Sequence, residues 1–204
     1  MDAESAADLF RRGLLDGQVV VMAGGGGEVA DAVVAACDEL GAAVERHTGD
    51  PLDEAGAADF AAGVVERRGG LHTLVIEAGA AFARAVPEAA GAEALRAATD
   101  PTWVAARAAA TAAMIDAEGG GKVVVVAPPP GAGPGAVATR AALENLARTL
   151  AIEWSRYAIR TTAILPGDAT APEDIAAVVA FLASPAGDYF SGCVLDLSGA
   201  GRPA

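Results

Sequence analysis

The sequence predicts an α/β fold, a doubly wound parallel sheet in one domain spanning residues 1–204, on three observations. Short β-branched runs bounded by glycine alternate with long alanine-rich stretches of helical character. The run Lys122-Val123-Val124-Val125-Val126-Ala127 is apolar on both faces, as a central parallel strand is. Two low-complexity loops, GGGG at 24–27 and PPPGAGPG at 128–135, follow the first and fourth strands, at the carboxyl ends where such sheets bind ligands.

Each element has a local reason. Residues 18–23 (QVVVMA) form a buried strand by length, β-branching and flanking glycine. Residues 29–40 form a helix that Gly41 closes from a C′ position. A second strand covers 43–48, a helix over 52–68 stops at Gly69-Gly70, and a third strand covers 71–76 (LHTLVI). The next expected helix is 101–118, with Pro101 in its first turn, where a missing N–H costs nothing. After the fourth strand at 122–127 comes the longest helix, 136–155. A strand at 159–165, a helix at 172–183 with Glu173 and Asp174 in its first turn, and a last strand at 193–197 complete the order.

Composition narrows the function. The 14 basic and 27 acidic residues leave a net charge of −13, spread along the chain. No basic stripe can displace counterions, which excludes nucleic acid and an anionic membrane as partners. The start, MDAESAADLFRRG, lacks the apolar core of a secretory signal, and no uncharged apolar stretch reaches about 18 residues. A cytoplasmic protein is expected, with Cys37 and Cys193 reduced and acting as small hydrophobes. His47 and His72 read as structural, and these four residues are too dispersed for a zinc site. No serine sits in a Gly-x-Ser-x-Gly elbow. Alanine occurs 53 times, whereas Lys122 is the only lysine.

Three stretches carry a resemblance: Arg140-Ala-Ala-Leu-Glu-Asn-Leu146, then Ile159-Arg-Thr-Thr-Ala-Ile-Leu-Pro-Gly167, then Phe181-Leu-Ala-Ser-Pro185 with Phe190-Ser-Gly-Cys-Val-Leu-Asp-Leu-Ser-Gly199. In this order and spacing they resemble the short-chain dehydrogenase/reductase family, over nearly the whole chain. The resemblance implies a shortened Rossmann-like domain and, in intact members, hydride transfer with NAD(P).

The family's active site pairs a tyrosine, the acid/base, with a lysine four residues later that lowers its pKa and holds the nicotinamide ribose. The matching positions here are Ala136 and Arg140. Alanine has no proton to give, and a guanidinium lacks the compact ammonium that fits a ribose hydroxyl. The family serine matches the loop after Val126, with Pro128 in its place, and the helix asparagine matches Asp100. One acid/base group is worth roughly 10²–10⁴ in rate, so joint loss is expected to abolish the hydride chemistry. Lys122 sits before a central strand, at the end opposite the site, and cannot stand in.

The dinucleotide turn aligns with Ala23-Gly24-Gly25-Gly26-Gly27-Glu28-Val29-Ala30, leaving Gly24 and Gly27 as a vestigial cofactor contact. Glu28 replaces the second family glycine and Ala30 the third. A carboxylate about 4 Å from a phosphate charge is repelled by roughly 4 kcal/mol at an effective dielectric near 20, about a thousandfold in affinity. Glu28 is expected to serve the helix N-terminus in place of the pyrophosphate. The family's Asn-Asn-Ala-Gly becomes Ile76-Glu77-Ala78-Gly79, and part of a strand–helix unit is missing between Gly41 and Asp50. The substrate lid shrinks to four residues, 168–171. Glu28, Glu77 and Asp100 could converge as a carboxylate cluster, although no metal is expected.

What is kept, the two long helices and the last strand, is what the family uses for assembly. The leading expectation is a catalytically degenerate member, a non-catalytic subunit beside an active paralogue, with no cofactor bound by this chain. The alternatives are a divergent NAD(P)-dependent oxidoreductase whose cofactor site still works, and a homodimeric small-ligand-binding pseudoenzyme.

Overall fold

The computed structural model describes residues 9–86 and 91–199, so both extremes of the expected 1–204 domain lie outside the described residues. The elements are β1 (Val19–Ala23), α1 (Glu28–Glu39), β2 (Ala43–Arg46), α2 (Glu54–Arg68), β3 (Thr73–Glu77), α3 (Ala78–Ala85), α4 (Ala92–Ala109), β4 (Gly121–Val126), α5 (Ala136–Glu153), β5 (Ile159–Leu165), α6 (Pro172–Ala183) and β6 (Val194–Asp196). Six parallel strands form one sheet in the order β2-β1-β3-β4-β5-β6.

The period of two in each strand divides the core between two layers of helices. Val19, Val21, Leu74, Ile76, Val123 and Val125 meet α2, α4 and α5 on one face. Val20, Met22, Val75, Val124 and Val126 meet α1 and α6 on the other. Every residue of β1, β3 and β4 is therefore buried, which is why the middles of their sequences are apolar runs rather than alternating ones.

Only one strand, β2, lies beyond β1 on its side, where the doubly wound order 3-2-1-4-5-6 has two. The chain passes from Arg46 through a short turn into α2, whose N-cap Asp53 accepts from the Gly56 N–H at 3.0 Å. This is the expected shortening. Glu45 fastens the exposed edge to α2 by ion pairs to Arg67 (2.6 Å) and Arg68 (2.9 Å), whose hydrogen bonds lower its carboxyl pKa.

Two expectations need correction. The helix placed at 101–118 is α4, which begins at Ala92 rather than at Pro101 and runs into a π turn at Ala110–Met114. Pro101 lies inside it. Buried Ala94 and Ala98 pack against the sheet layer upstream of the proline, and that packing outweighs the lost N–H. Thr99 and Thr102 hydroxyls donate to the Leu95 and Ala98 carbonyls around the gap. No helix was expected at α3, whose Phe82 is fully buried. Smaller shifts also occur: β2 stops at Arg46 rather than 48, and β3 runs to Glu77.

Lys122 is the second residue of β4, consistent with the strand expected at 122–127, and lies at the amino end of the sheet. Its Nζ donates to the Ser184 and Ala183 carbonyls at 2.6 and 3.1 Å and pairs with Asp188 at 2.8 Å, tying β4 to the end of α6. Burial lowers its pKa, and Asp188 opposes the shift. The His72 Nδ1 accepts from the Val19 N–H at 2.9 Å, and His47 packs its ring on Phe60. Cys37 is buried, which pushes its thiol up to about 12.

Candidate functional site

The carboxyl ends of β1, β3, β4 and β5 bring the Gly-rich turn, Glu77, the proline loop and the Pro166-Gly167 turn to one edge of the sheet. Glu77 is the last residue of β3, and α3 begins at the next residue. Gly24 has φ 111°, and a Cβ there would lie 2.6 Å from the Glu77 carbonyl oxygen. Only glycine allows the two backbones to come this close.

Around Arg140 the site is closed. The side chain is 9% exposed, and Nη1 donates to the Pro128 carbonyl (2.7 Å) and the Pro166 carbonyl (2.6 Å). One guanidinium thus ties α5 to the loops after both β4 and β5. A second tie runs alongside, where the Gly131 N–H donates to the Asp168 carboxylate at 2.7 Å. Within the shortened lid segment, the Gly167 N–H donates to the Thr170 hydroxyl at 2.8 Å. Ala136 is 1% exposed and packed in the helix-side core, and Pro128 is buried beneath Gly79 of α3. Asp100 is exposed on α4.

Glu28 is the first residue of α1, exposed, and with Asp31 places negative charge in the first turn of the helix. A further carboxylate at that helix N-terminus is Glu77, only 7% exposed, which faces the Ala30 N–H. A Cβ built on Gly27 would lie 3.7 Å from its Oε1, whereas its Oε2 has no hydrogen-bond partner. Burial raises the Glu77 carboxyl to about 7; Arg84 is the main opposing charge, Asp31 raises it further, and Arg46 lowers it. Glu28, Glu77 and Asp100 form no cluster, because two are exposed and one is buried. Among the described residues no group of three His, Cys, Asp or Glu is placed to hold a metal ion.

Outside the turn lies a cleft of about 300 Å³ lined by Gly24–26, Arg46, His47, Thr48, Gly49, Pro51 and Arg84. Arg84, on α3, donates to the Gly24 carbonyl at 3.1 Å and lies over Gly25, where a Cβ would be 2.9 Å from its Nη1. Arg46 pairs with Asp31 at 2.7 Å. Burial depresses the His47 pKa. The sequence reading missed Arg84 and Arg46, since neither lies in a recognised motif; an arginine seven residues after a strand end was the only signal for Arg84.

A family model described as short chain dehydrogenase matches residues 7–176. The chain belongs to the short-chain dehydrogenase family. Similar solved structures include a short chain dehydrogenase from Mycobacterium smegmatis, 24% identical with a TM-score of 0.76 over 95% of this chain and 96% of that one. The citronellol catabolism dehydrogenase AtuB of Pseudomonas aeruginosa PAO1 is 24% identical, with a TM-score of 0.75 over 92% of this chain and 96% of its own. A hydroxysteroid dehydrogenase from Escherichia coli is 21% identical, with a TM-score of 0.70 over 92% and 98%. These likenesses show the fold. A search of curated proteins by sequence found no match.

Short-chain dehydrogenases use NAD(P), and the residues at this site fit that group poorly. A pyrophosphate at the α1 N-terminus would meet the buried Glu77 carboxylate. Arg140, at the family's ribose-binding position, has its donor Nη1 committed to two carbonyls.

Proposed function

We propose that this chain is a catalytically degenerate short-chain dehydrogenase, a non-catalytic subunit that assembles with an active paralogue in the cytoplasm. The observation that carries the reading is Arg140. At the position of the family's catalytic lysine stands a buried guanidinium whose two bonds hold the β4 and β5 loops together, one turn beyond a buried alanine at the tyrosine position. Such a group fixes backbone and moves no proton. The loss of the serine and asparagine positions to Pro128 and Asp100 supports the same reading.

For the assembly role, support comes from the outward faces of α4 and α5. Trp103 (40% exposed), Val137 (68%) and Ile152 (74%) leave large apolar groups in water on the two long helices that the family uses for association. Trp103 also stacks on Trp154, ring centroids 6.4 Å apart, which holds it in place across the two helices. No described helix is long and apolar enough to cross a membrane.

Co-expression with a paralogue that keeps its Tyr-x-x-x-Lys, followed by titration of the isolated chain with NADH and NADPH, tests the reading. Co-purification and binding weaker than millimolar are expected. Micromolar cofactor binding would overturn the degenerate site, and failure to associate with any reductase would overturn the subunit role; in that case self-association through the same faces is the outcome to measure.

A further inference from the structure

Among the described residues Glu77 is the one buried carboxylate at the edge where the family takes its ligands, and the proposed function leaves it without a task. It is held by geometry on three sides. Its backbone passes Gly24 at a contact that admits no side chain there, its Oε1 lies near Gly27, and α3 starts at the next residue, Ala78, which together fix where the side chain leaves the backbone. Oε2 is buried and unpartnered, in a place where an ionised oxygen ordinarily needs a donor.

We propose that Glu77 is an internal anion seated at the N-terminus of α1, an autoinhibitory group that keeps diphosphate-bearing ligands off the Gly24–27 turn while ionised and admits them once protonated. The inference rests on the reading that this chain does not hold a dinucleotide in its resting state, and gives that state a physical cause.

The charges facing Glu77 come from three elements: Asp31 on α1, Arg46 on β2 and Arg84 on α3. Arg46 and Asp31 are paired with each other, so Arg84 is the main cation left to offset the carboxylate. The Gly24–27 turn itself brings backbone N–H groups and no side chain. When Glu77 is ionised, the N-terminal dipole of α1 is already satisfied and a second anion meets a like charge at about 4 Å, which weakens binding by about a thousandfold. Protonation removes the charge while keeping the shape. The helix N-terminus and Arg84 then face the ligand without the buried negative charge between them. Burial raises the Glu77 carboxyl to about 7, so the change of state falls within the ordinary range of pH.

The test is titration of the full chain with ADP, which carries a diphosphate and no nicotinamide, at pH 5.5, 7 and 8.5, using wild type, E77Q and E77N. Thermal melts first establish that each variant is folded; two neutral replacements of different length guard against one that is not. The expected result is wild-type affinity at least tenfold higher at pH 5.5 than at pH 8.5, and a folded neutral variant that binds at pH 8.5 as tightly as wild type does at 5.5. A pH dependence that persists in E77Q and E77N belongs to His47 or to the ligand phosphate and overturns the proposal. Equally weak binding by wild type and variants at every pH also overturns it, while leaving the degenerate-site reading intact. Tight binding of ADP and NADPH by wild type at pH 8.5 overturns both.

Discussion

Replacing Arg140 by alanine removes a charged group that holds three segments, and the cost follows from the contacts. The guanidinium makes two short bonds, 2.7 Å to the Pro128 carbonyl and 2.6 Å to the Pro166 carbonyl, in a place 9% exposed. A hydrogen bond from a charged donor contributes about 1.5–3 kcal/mol, and two carbonyls lose their partner at once. Burying the charge offsets part of this, so R140A is expected to lose about 3 kcal/mol. For a chain of this length that corresponds to a fall in melting temperature of roughly 6–12 °C. R140K, which keeps a donor but not the planar fork, is expected to fall between. Urea denaturation followed by circular dichroism measures the difference directly. A melting temperature for R140A within about 1 °C of wild type would refute the clamp. If in addition R140A bound NADPH more weakly than the wild-type chain, Arg140 would be a cofactor residue, and the proposed function would fall with the clamp.

Three further outcomes follow from the same structure. Restoring the family pair with A136Y/R140K is expected to give no reductase activity with NADPH, because position 136 is buried and a tyrosine ring there would have no room; steady turnover above the background rate would contradict the proposed function. Stability should fall as pH rises from about 4.5 to about 7, since Glu77 binds its proton more tightly when folded: the native carboxyl is raised from 4.5 to about 7, the contribution is full below 4.5, and up to ~3 kcal/mol is lost above 7. E77Q should lack this component, so urea midpoints at pH 5 and pH 8 should differ less in the variant than in wild type, and a larger difference in E77Q would reverse the sign. G24A should be among the most damaging single changes, at least ~2 kcal/mol, because it combines φ 111° with a Cβ 2.6 Å from the Glu77 carbonyl oxygen; a folded G24A with unchanged melting would refute the close approach.

Most of the fold was legible because the strands are buried on both faces and the glycines punctuate them. Runs such as Val19–Ala23 and Gly121–Val126 have no other stable reading, and Gly41 and Gly69, both at positive φ, mark helix ends through local chemistry alone. The helix 92–109 was not legible. Proline at 101 is a starting signal in any local reading, and only the burial of Ala94 and Ala98 against the core decides that the helix begins earlier. α3 was missed for the same reason, since eight residues are too few to hold a helix by alanine propensity alone and need the burial of Phe82.

At the site the division falls along the same line. The fold class and its shortening were determined by the sequence alone, and the proposal that Ala136 and Arg140 stand at the family's tyrosine and lysine positions rests on residue identity. That a buried carboxylate joins Glu28 and Asp31 at the α1 N-terminus was decided by tertiary structure. Glu28 sits there by its place in the sequence and is exposed. Glu77 is 47 positions from Ala30 along the chain, but β1 and β3 are hydrogen-bonded neighbours, and their parallel register delivers it under the turn. The task of Arg140 is likewise set by two carbonyls from different loops. Local pattern can say what a residue is; only the packing of distant segments sets the field and the partners that decide what it does.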